Sequence, residues 1–363
     1  MQQLEINIGA AQAETYKIWV GSGLISKVPE FFDLSSYSRV AVLSDHNVAP
    51  HWGATLVEAL SHRAELIVIP AGEEAKNITT VELVWRRLLE AGCDRKSLVL
   101  NLGGGVVGDL GGFAAASYMR GVDFVQIPTT LLSQVDASVG GKLGINSAGV
   151  KNLAGVFRQP RGVIIDTDTL STLPKRELLS GLAEVLKHGL IRDADYFTQV
   201  CGLGEAVFEP KNLEQIILRS CQIKAEVVQA DELEGGLRKI LNFGHSIGHA
   251  IEILSHARLP AEHLLHGEAV SLGMLAEAKL SELAGFISAA DLDHIRAGLQ
   301  GCGLPVTLKQ RFALEDLLAK LKLDKKNVGG VLKWTLLRAL GEAVFDVEIL
   351  PELVEQSLRE EFA

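Results

Sequence analysis

Short runs of branched apolar residues recur through the first half of the chain: Val40 to Ser44 (VAVLS), Leu66 to Ile69 (LIVI), Leu98 to Leu102 (LVLNL), Phe124 to Ile127 (FVQI) and Val163 to Asp166 (VIID). Stretches between some of them, such as Thr79 to Ala91, carry helical apolar spacing. Strands that alternate with helices predict a parallel sheet covered on both faces. After Leu173-Pro174 the strand-like runs largely stop. Lys175 to Ile191, Asn212 to Ala230, Phe243 to Leu254, Gly267 to Leu283 and Ala290 to Gln300 all read as helices. Leu332 to Leu337 (LKWTLL) is the main later stretch with extended character. The pattern predicts an α/β N-terminal domain with a parallel sheet over residues 1–173, then a mainly α-helical C-terminal domain over 174–363.

One strand empties through glycines. Gly103-Gly104-Gly105-Val106-Val107-Gly108-Asp109 follows Leu98 to Leu102 and opens into a helical stretch, Leu110 to Met119. Glycines let backbone approach a diphosphate, and the amides and dipole of the helix start supply positive charge. The spacing is not the dinucleotide pattern G-x-G-x-x-G, and a tight strand-to-helix turn would use the same residues. Asp109 would repel a phosphate unless it faces something else.

Composition narrows the class. A chain of 363 residues with 47% hydrophobic content has material for two cores, and a net charge of −10 argues against nucleic acid or anionic membranes as partners. No stretch has the length and polarity of a membrane span, and the N-terminus lacks the pattern of a signal peptide. Cys93, Cys201, Cys221 and Cys302 form no C-x-x-C pair. Free thiols in a reducing cytoplasm are therefore expected.

A second cluster is rich in histidine. Asn242-Phe243-Gly244-His245-Ser246-Ile247-Gly248-His249 places two imidazoles four residues apart, on one helix face. His266-Gly267-Glu268 opens another helix, and Glu184 and Lys187 lie one turn apart in GLAEVLKH. Two histidines and a glutamate with an open position are what a catalytic zinc site needs. An H-x-x-x-H pair alone is weak, because most helical histidines are solvated or hydrogen-bonded. His188, His256 and His263 are further candidates by spacing.

The chain resembles the 3-dehydroquinate synthase family, within the sugar phosphate cyclase superfamily, over nearly its whole length. The motifs that carry the likeness are GGGVVGD (103–109), SYMRG (117–121), PTTLLSQVDASVGGK (128–142), Lys151-Asn152, GLAEVLK (181–187), NFGHSIGH (242–249), HGE (266–268) and DKK (324–326). The resemblance implies an NAD- and divalent-metal-dependent phosphorus–oxygen lyase of the shikimate route. Such an enzyme converts 3-deoxy-D-arabino-heptulosonate 7-phosphate to 3-dehydroquinate and phosphate. Transient oxidation by NAD acidifies a C–H bond, phosphate leaves, the hydride returns and an intramolecular aldol step closes the ring.

The resemblance also assigns residues. Glu184, His245 and His266 are the implied ligands of zinc, with cobalt as the alternative metal. His249 and Glu234 are the implied proton shuttles. NAD is expected at Asp45, Asn47, Glu73, Lys76, Gly104, Gly105, Val106, Asp109, Thr129, Thr130, Lys151 and the segment Thr169, Leu170, Ser171, Thr172. Without the resemblance, Thr129-Thr130 reads as an ordinary helix cap. The substrate's phosphate and carboxylate call for cations. Those implied are Arg120, Lys142, Lys187, Lys224, Arg238 and Lys325, with Asp136, Asn152 and Asn242 as polar partners; Lys326 competes with Lys325. His263 competes weakly with His266. A homodimer acting on a small sugar phosphate is expected, without nucleic acid or membrane. The alternatives are another sugar-phosphate cyclase, a metal-dependent polyol dehydrogenase, or an inactive NAD-binding scaffold.

Overall fold

A computed structural model describes residues 1–8, 14–61, 64–259, 262–309, 311–322, 327–328 and 331–362. By contacts the chain divides into two compact units: Met1–Pro174 with Leu213–Glu232, and Lys175–Asn212 with Leu233–Ala363. The first unit thus takes in most of the helix Pro210–Ala230, which comes after the strand-rich part of the sequence.

Among the described residues, nine strands belong to the first unit: β1 (Gln2–Ile8), β2 (Glu14–Gly21), β3 (Val40–Asp45), β4 (Ala64–Ile69), β5 (Leu98–Gly103), β6 (Asp123–Pro128), β7 (Lys142–Ser147), β8 (Val150–Phe157) and β9 (Gly162–Asp166). Seven form one sheet in the order β1-β2-β9-β6-β5-β3-β4, parallel apart from β1 against β2. The five strands expected from apolar runs are all present. β1 and β2 were not expected, because their alternating polar residues lack the dense apolar signal of a strand buried on both faces. β7 and β8 pair as a separate antiparallel hairpin.

The two sheet faces divide by residue parity. Ala41, Leu43 and Val99 join one core with the helices Ile78–Glu90 and Gly105–Ser117, while Val40, Val42, Leu98 and Leu100 join another with Leu56 and Leu60. The helix after the glycine loop lies hard on the strands. A Cβ at Gly111 would sit 2.2 Å from Asn101 Oδ1 and 2.7 Å from Leu43 Cδ2, so only glycine permits the approach.

Helices dominate the second unit, among them Lys175–Arg192, Ala194–Leu203, His245–Arg258, His266–Leu283, Ala289–Gly301 and Pro351–Phe362. The extended stretch expected near residue 332 is β11 (Val331–Ala339), between β10 (Asn327–Val328) and β12 (Glu342–Glu348). Ile247, Ile251, Leu272, Ala276, Trp334, Leu336 and Leu358 fill this unit's core. No described helix is long and apolar enough to cross a membrane.

Candidate active site

In the first unit the parallel strands end together. β3 runs beside β4 on one side and β5 on the other, so the chain reverses its direction of sheet growth between β3 and β5. Crevices at such reversals, outside the carboxyl ends of strands, are where α/β sheets bind dinucleotides. Asp45 ends β3 and the loop Gly103-Gly104-Gly105 ends β5 at this place. Gly104 precedes the helix Gly105–Ser117 and gives it no side-chain cap, which leaves its first-turn amides to an outside acceptor. A Cβ at Gly104 would sit 2.9 Å from Thr130 Cγ2.

Other side chains here are committed to the protein. Asp45 Oδ1 accepts from the amides of Asn47 (2.8 Å) and Val48 (3.0 Å). Thr130 Oγ1 accepts from Ser133 N, so Thr130 is a cap as well as a cofactor candidate. Thr169 donates to the Asp166 carbonyl, Ser171 to the Asp168 carbonyl and Thr172 to the Thr169 carbonyl. Leu170 is buried. Thr129 Oγ1 is buried with no hydrogen-bond partner.

Asp109 does face something else. Its carboxylate lies 2.6 Å from Lys76 Nζ, and the same ammonium donates to Asn152 Oδ1 at 2.6 Å. Burial pushes the Asp109 carboxyl up, with Lys76 opposing. Asn146 ties this group to Glu73, donating to its Oε1 at 2.8 Å. Lys76, Asp109, Asn152 and Glu73 thus form one network, which anchors the hairpin β7–β8. Lys224 Nζ lies 2.8 Å from Asp136 Oδ1 and also donates to the Asp136 carbonyl. Asn47, Lys142 and Lys151 are exposed, and Val106 is half-buried. Arg120 is exposed beyond the C-terminal end of the helix Gly105–Ser117, about 20 Å of helix away from Gly104 at 1.5 Å per residue.

In the second unit three helices converge because glycines let their backbones touch. A Cβ at Gly267 would lie 1.9 Å from the Ser180 carbonyl oxygen, and one at Gly273 would lie 2.0 Å from the Gly244 carbonyl oxygen. Ser180 is one turn before Glu184, and Gly267 follows His266; Gly244 precedes His245. The buried Glu277 carboxylate accepts from the amides of Gly244 (2.5 Å) and Ile247 (3.0 Å), capping the histidine helix from its neighbour.

The result is a cluster. His245 Nε2 lies 3.5 Å and His266 Nε2 3.7 Å from Glu184 Oε1, while Lys187 Nζ contacts Glu184 Oε2. Ligands 2.0–2.2 Å from a tetrahedral ion lie about 3.3–3.6 Å apart, so these separations suit a divalent cation. Phe243 O lies 3.1 Å from His245 Nδ1, which places the proton there and the lone pair on Nε2. Burial, then the Lys187 charge, pushes His245 well below the ordinary histidine range, so it is neutral as a ligand must be. For His266, burial works downward, but the hydrogen bonds its ring donates to the Glu184 and Glu252 carboxylates outweigh it and raise it to about 9. A cation would displace that proton.

His249 stands beside the cluster, its ring 5.2 Å from His245 and 5.8 Å from His266. It also belongs to an overlapping donor set with Glu252 and His266. His263 stacks on His256 at 4.2 Å. Glu268 of the HGE motif pairs with Arg176 and accepts from Leu265 N. Lys187 and Arg238 are both 1% exposed. Asn242 Nδ2 donates to Glu234 Oε1 at 3.1 Å. Arg120, Asn152 and Glu234 are three of the seven non-glycine residues at positive φ among those described, a conformation that gathers at functional sites. Lys325, with Lys326, lies outside the described residues. The sequence reading missed Glu252 and Glu277; Glu252 was detectable as the third residue after His249, whereas nothing local marks Glu277.

Comparison with known proteins follows the same lines. Residues 66–180 match the model of the 3-dehydroquinate synthase N-terminal region and residues 181–327 that of its C-terminal region. The 3-dehydroquinate synthase of Acidithiobacillus ferrooxidans is 44% identical over 364 aligned residues, covering 99% of this chain and 98% of the relative. A crystal structure of 2-deoxy-scyllo-inosose synthase complexed with carbaglucose-6-phosphate, NAD+ and Co2+ superposes with a TM-score of 0.89 at 25% identity, covering 99% and 100% of the two chains. The 2-epi-5-epi-valiolone synthase of Streptomyces hygroscopicus, with NAD+ and Zn2+ bound, gives a TM-score of 0.86 at 32% identity, covering 97% and 98%. With both regions matched and a close relative aligned end to end, this chain belongs to the 3-dehydroquinate synthase family.

Proposed function

We propose that this chain converts 3-deoxy-D-arabino-heptulosonate 7-phosphate to 3-dehydroquinate and phosphate, with NAD and a divalent cation, zinc or cobalt. The observation that carries the reading is the convergence of Glu184, His245 and His266, each from a different helix, in a chain of this family. Those three residues hold the cation, and the glycine loop holds the NAD diphosphate with its backbone amides. When bound, the cation supplies Lewis-acid polarisation of a substrate oxygen and NAD accepts and returns a hydride.

The chain's own groups do the rest. Lys76 neutralises Asp109, so the glycine loop presents amides to a diphosphate without a bare carboxylate beside them. Lys187 and Arg238 are cations at low exposure, where attraction to substrate anions is strongest, and Lys142, Lys224 and Asn152 are further polar groups suited to the same ligand class. His249 and Glu234 move protons, His249 from beside the ligand cluster and Glu234 from its hydrogen bond with Asn242. All four cysteines are unbridged, in keeping with a reducing cytoplasm, and the working form is a homodimer.

The test is phosphate release from the heptulosonate phosphate against a sedoheptulose phosphate control, with NAD in catalytic amount. Phosphate far exceeding the NAD supplied, with no growth at the reduced-nicotinamide band, is expected. NADH rising in step with substrate consumed would identify a dehydrogenase instead. Turnover of the sedoheptulose phosphate alone would identify a different cyclase.

A further inference from the structure

His266 lies between two carboxylates that address opposite ring nitrogens. Nε2 is 3.7 Å from Glu184 Oε1, and Nδ1 is 3.5 Å from Glu252 Oε2. A histidine that ligates through one nitrogen carries its proton on the other. An acceptor for that proton sets the tautomer, orients the ring and makes the ligating nitrogen more basic. For His245 the acceptor is the neutral carbonyl of Phe243. For His266 it is a charged side chain, so the two ligands are held by groups of different strength.

The helix makes this arrangement. His245, His249 and Glu252 fall at positions i, i+4 and i+7 of the helix His245–Arg258, a single stripe. Backbone contact at Gly248 and Gly273 turns that stripe toward the helix His266–Leu283, and Glu252 is 5% exposed. A carboxylate at that depth needs donors, and a protonated Nδ1 is one.

We propose that Glu252 is a positioning residue for the cation site: through Nδ1 of His266 it holds Nε2 toward Glu184 and tightens the binding of a divalent cation. The inference rests on the reading of Glu184, His245 and His266 as the cation's ligands. Glu252 itself stays outside the ligand set, although its carboxylate also comes near His249.

The test compares Glu252→Gln, Glu252→Ala and His266→Ala in the full-length protein. Zinc affinity is measured by competition with a chromophoric chelator, the visible spectrum is recorded after cobalt loading, and circular dichroism follows the metal-free proteins. Removing such an outer partner weakens metal binding by about 10- to 100-fold. Glu252→Ala is expected in that range and Glu252→Gln between it and the unsubstituted protein, since the amide keeps an acceptor but loses the charge. Cobalt bands should shift with their intensity retained, because the ligand count is unchanged. Unchanged zinc affinity in both Glu252 variants would overturn the proposal. So would a loss equal to that of His266→Ala with a changed cobalt coordination number, which would make Glu252 a ligand. Should Glu252→Ala fail to fold, the near-isosteric Glu252→Gln decides. If His266→Ala itself binds zinc normally, the ligand reading fails, and the Glu252 inference with it.

Discussion

At the strand ends of the first unit, most side chains that the sequence singles out are spent on the protein itself, whereas in the histidine cluster of the second they face one another. Asp45, Thr130, Thr169 and Thr172 hold turns and caps, and Lys76 holds Asp109. What the edge offers a ligand is backbone, at a glycine loop with an uncapped helix start. In the second unit glycines serve packing, and side chains supply the chemistry: Gly267 and Gly273 bring helices together so that Glu184, His245 and His266 meet. On the proposed function, glycine is thus the ligand-facing residue in one region, while in the other it is the scaffold. Substitutions should separate the two.

The largest effect is expected in the ligand set. Glu184→Ala and His266→Ala should lose the metal and about 10³-fold or more of kcat/KM, because polarisation by the ion is worth several kcal/mol. His245→Ala should behave alike, while His249→Ala should keep the metal and lose about 10²- to 10⁴-fold in rate, the range for a general acid or base. Metal analysis beside steady-state kinetics reads both. Equal metal loss at His245 and His249 would move His249 into the ligand set.

Next come the glycines. Gly267→Ala drives a methyl into the Ser180 carbonyl, a backbone atom that has no rotamer to yield, and should cost about 1–3 kcal/mol together with metal affinity. At Gly104 the obstacle is the Thr130 methyl, so Gly104→Ala should fold, keep its metal and bind NAD more weakly. Thermal melts, metal content and NAD titration together check the pair. Loss of NAD affinity at Gly267 with loss of metal at Gly104 would break the comparison.

Lys76→Met leaves the Asp109 carboxylate without its cation, and removing one partner of a buried pair typically costs about 3–5 kcal/mol. Asp109 is partly exposed, so the lower end applies, and the double variant with Asp109→Asn should recover part of it. Urea denaturation of the cycle measures the coupling. The smallest effects belong to the two threonines. Thr130→Ala removes a cap and should cost about 1 kcal/mol. Thr129→Val replaces a buried hydroxyl that has no partner, so stability should hold or rise while NAD affinity falls. An unchanged NAD affinity would remove Thr129 from the cofactor set.

Local pattern made much of this legible. The apolar runs at 40–44, 66–69, 98–102, 124–127 and 163–166 lie in β3, β4, β5, β6 and β9; β3, β5, β6 and β9 are buried on both faces and leave a dense signal, and the edge strand β4 is apolar enough to join them. The hairpin β7–β8 is mostly exposed and leaves none. His245 and His249 declare a shared face by spacing alone. Glu277 does not declare itself, because it acts on a helix that begins 32 residues earlier in the chain.

The sequence by itself determined the class of the fold, the glycine turn after β5 and the family, because those depend on residues near one another along the chain. The tertiary structure alone decided that residues 213–232 join the first unit, that Asp109 is neutralised by Lys76, and that His266 rather than His263 meets Glu184. Each of these depends on contact between segments distant in sequence, and such contact is set by which backbones can approach. No local pattern records that a Cβ at position 267 would strike the carbonyl of residue 180.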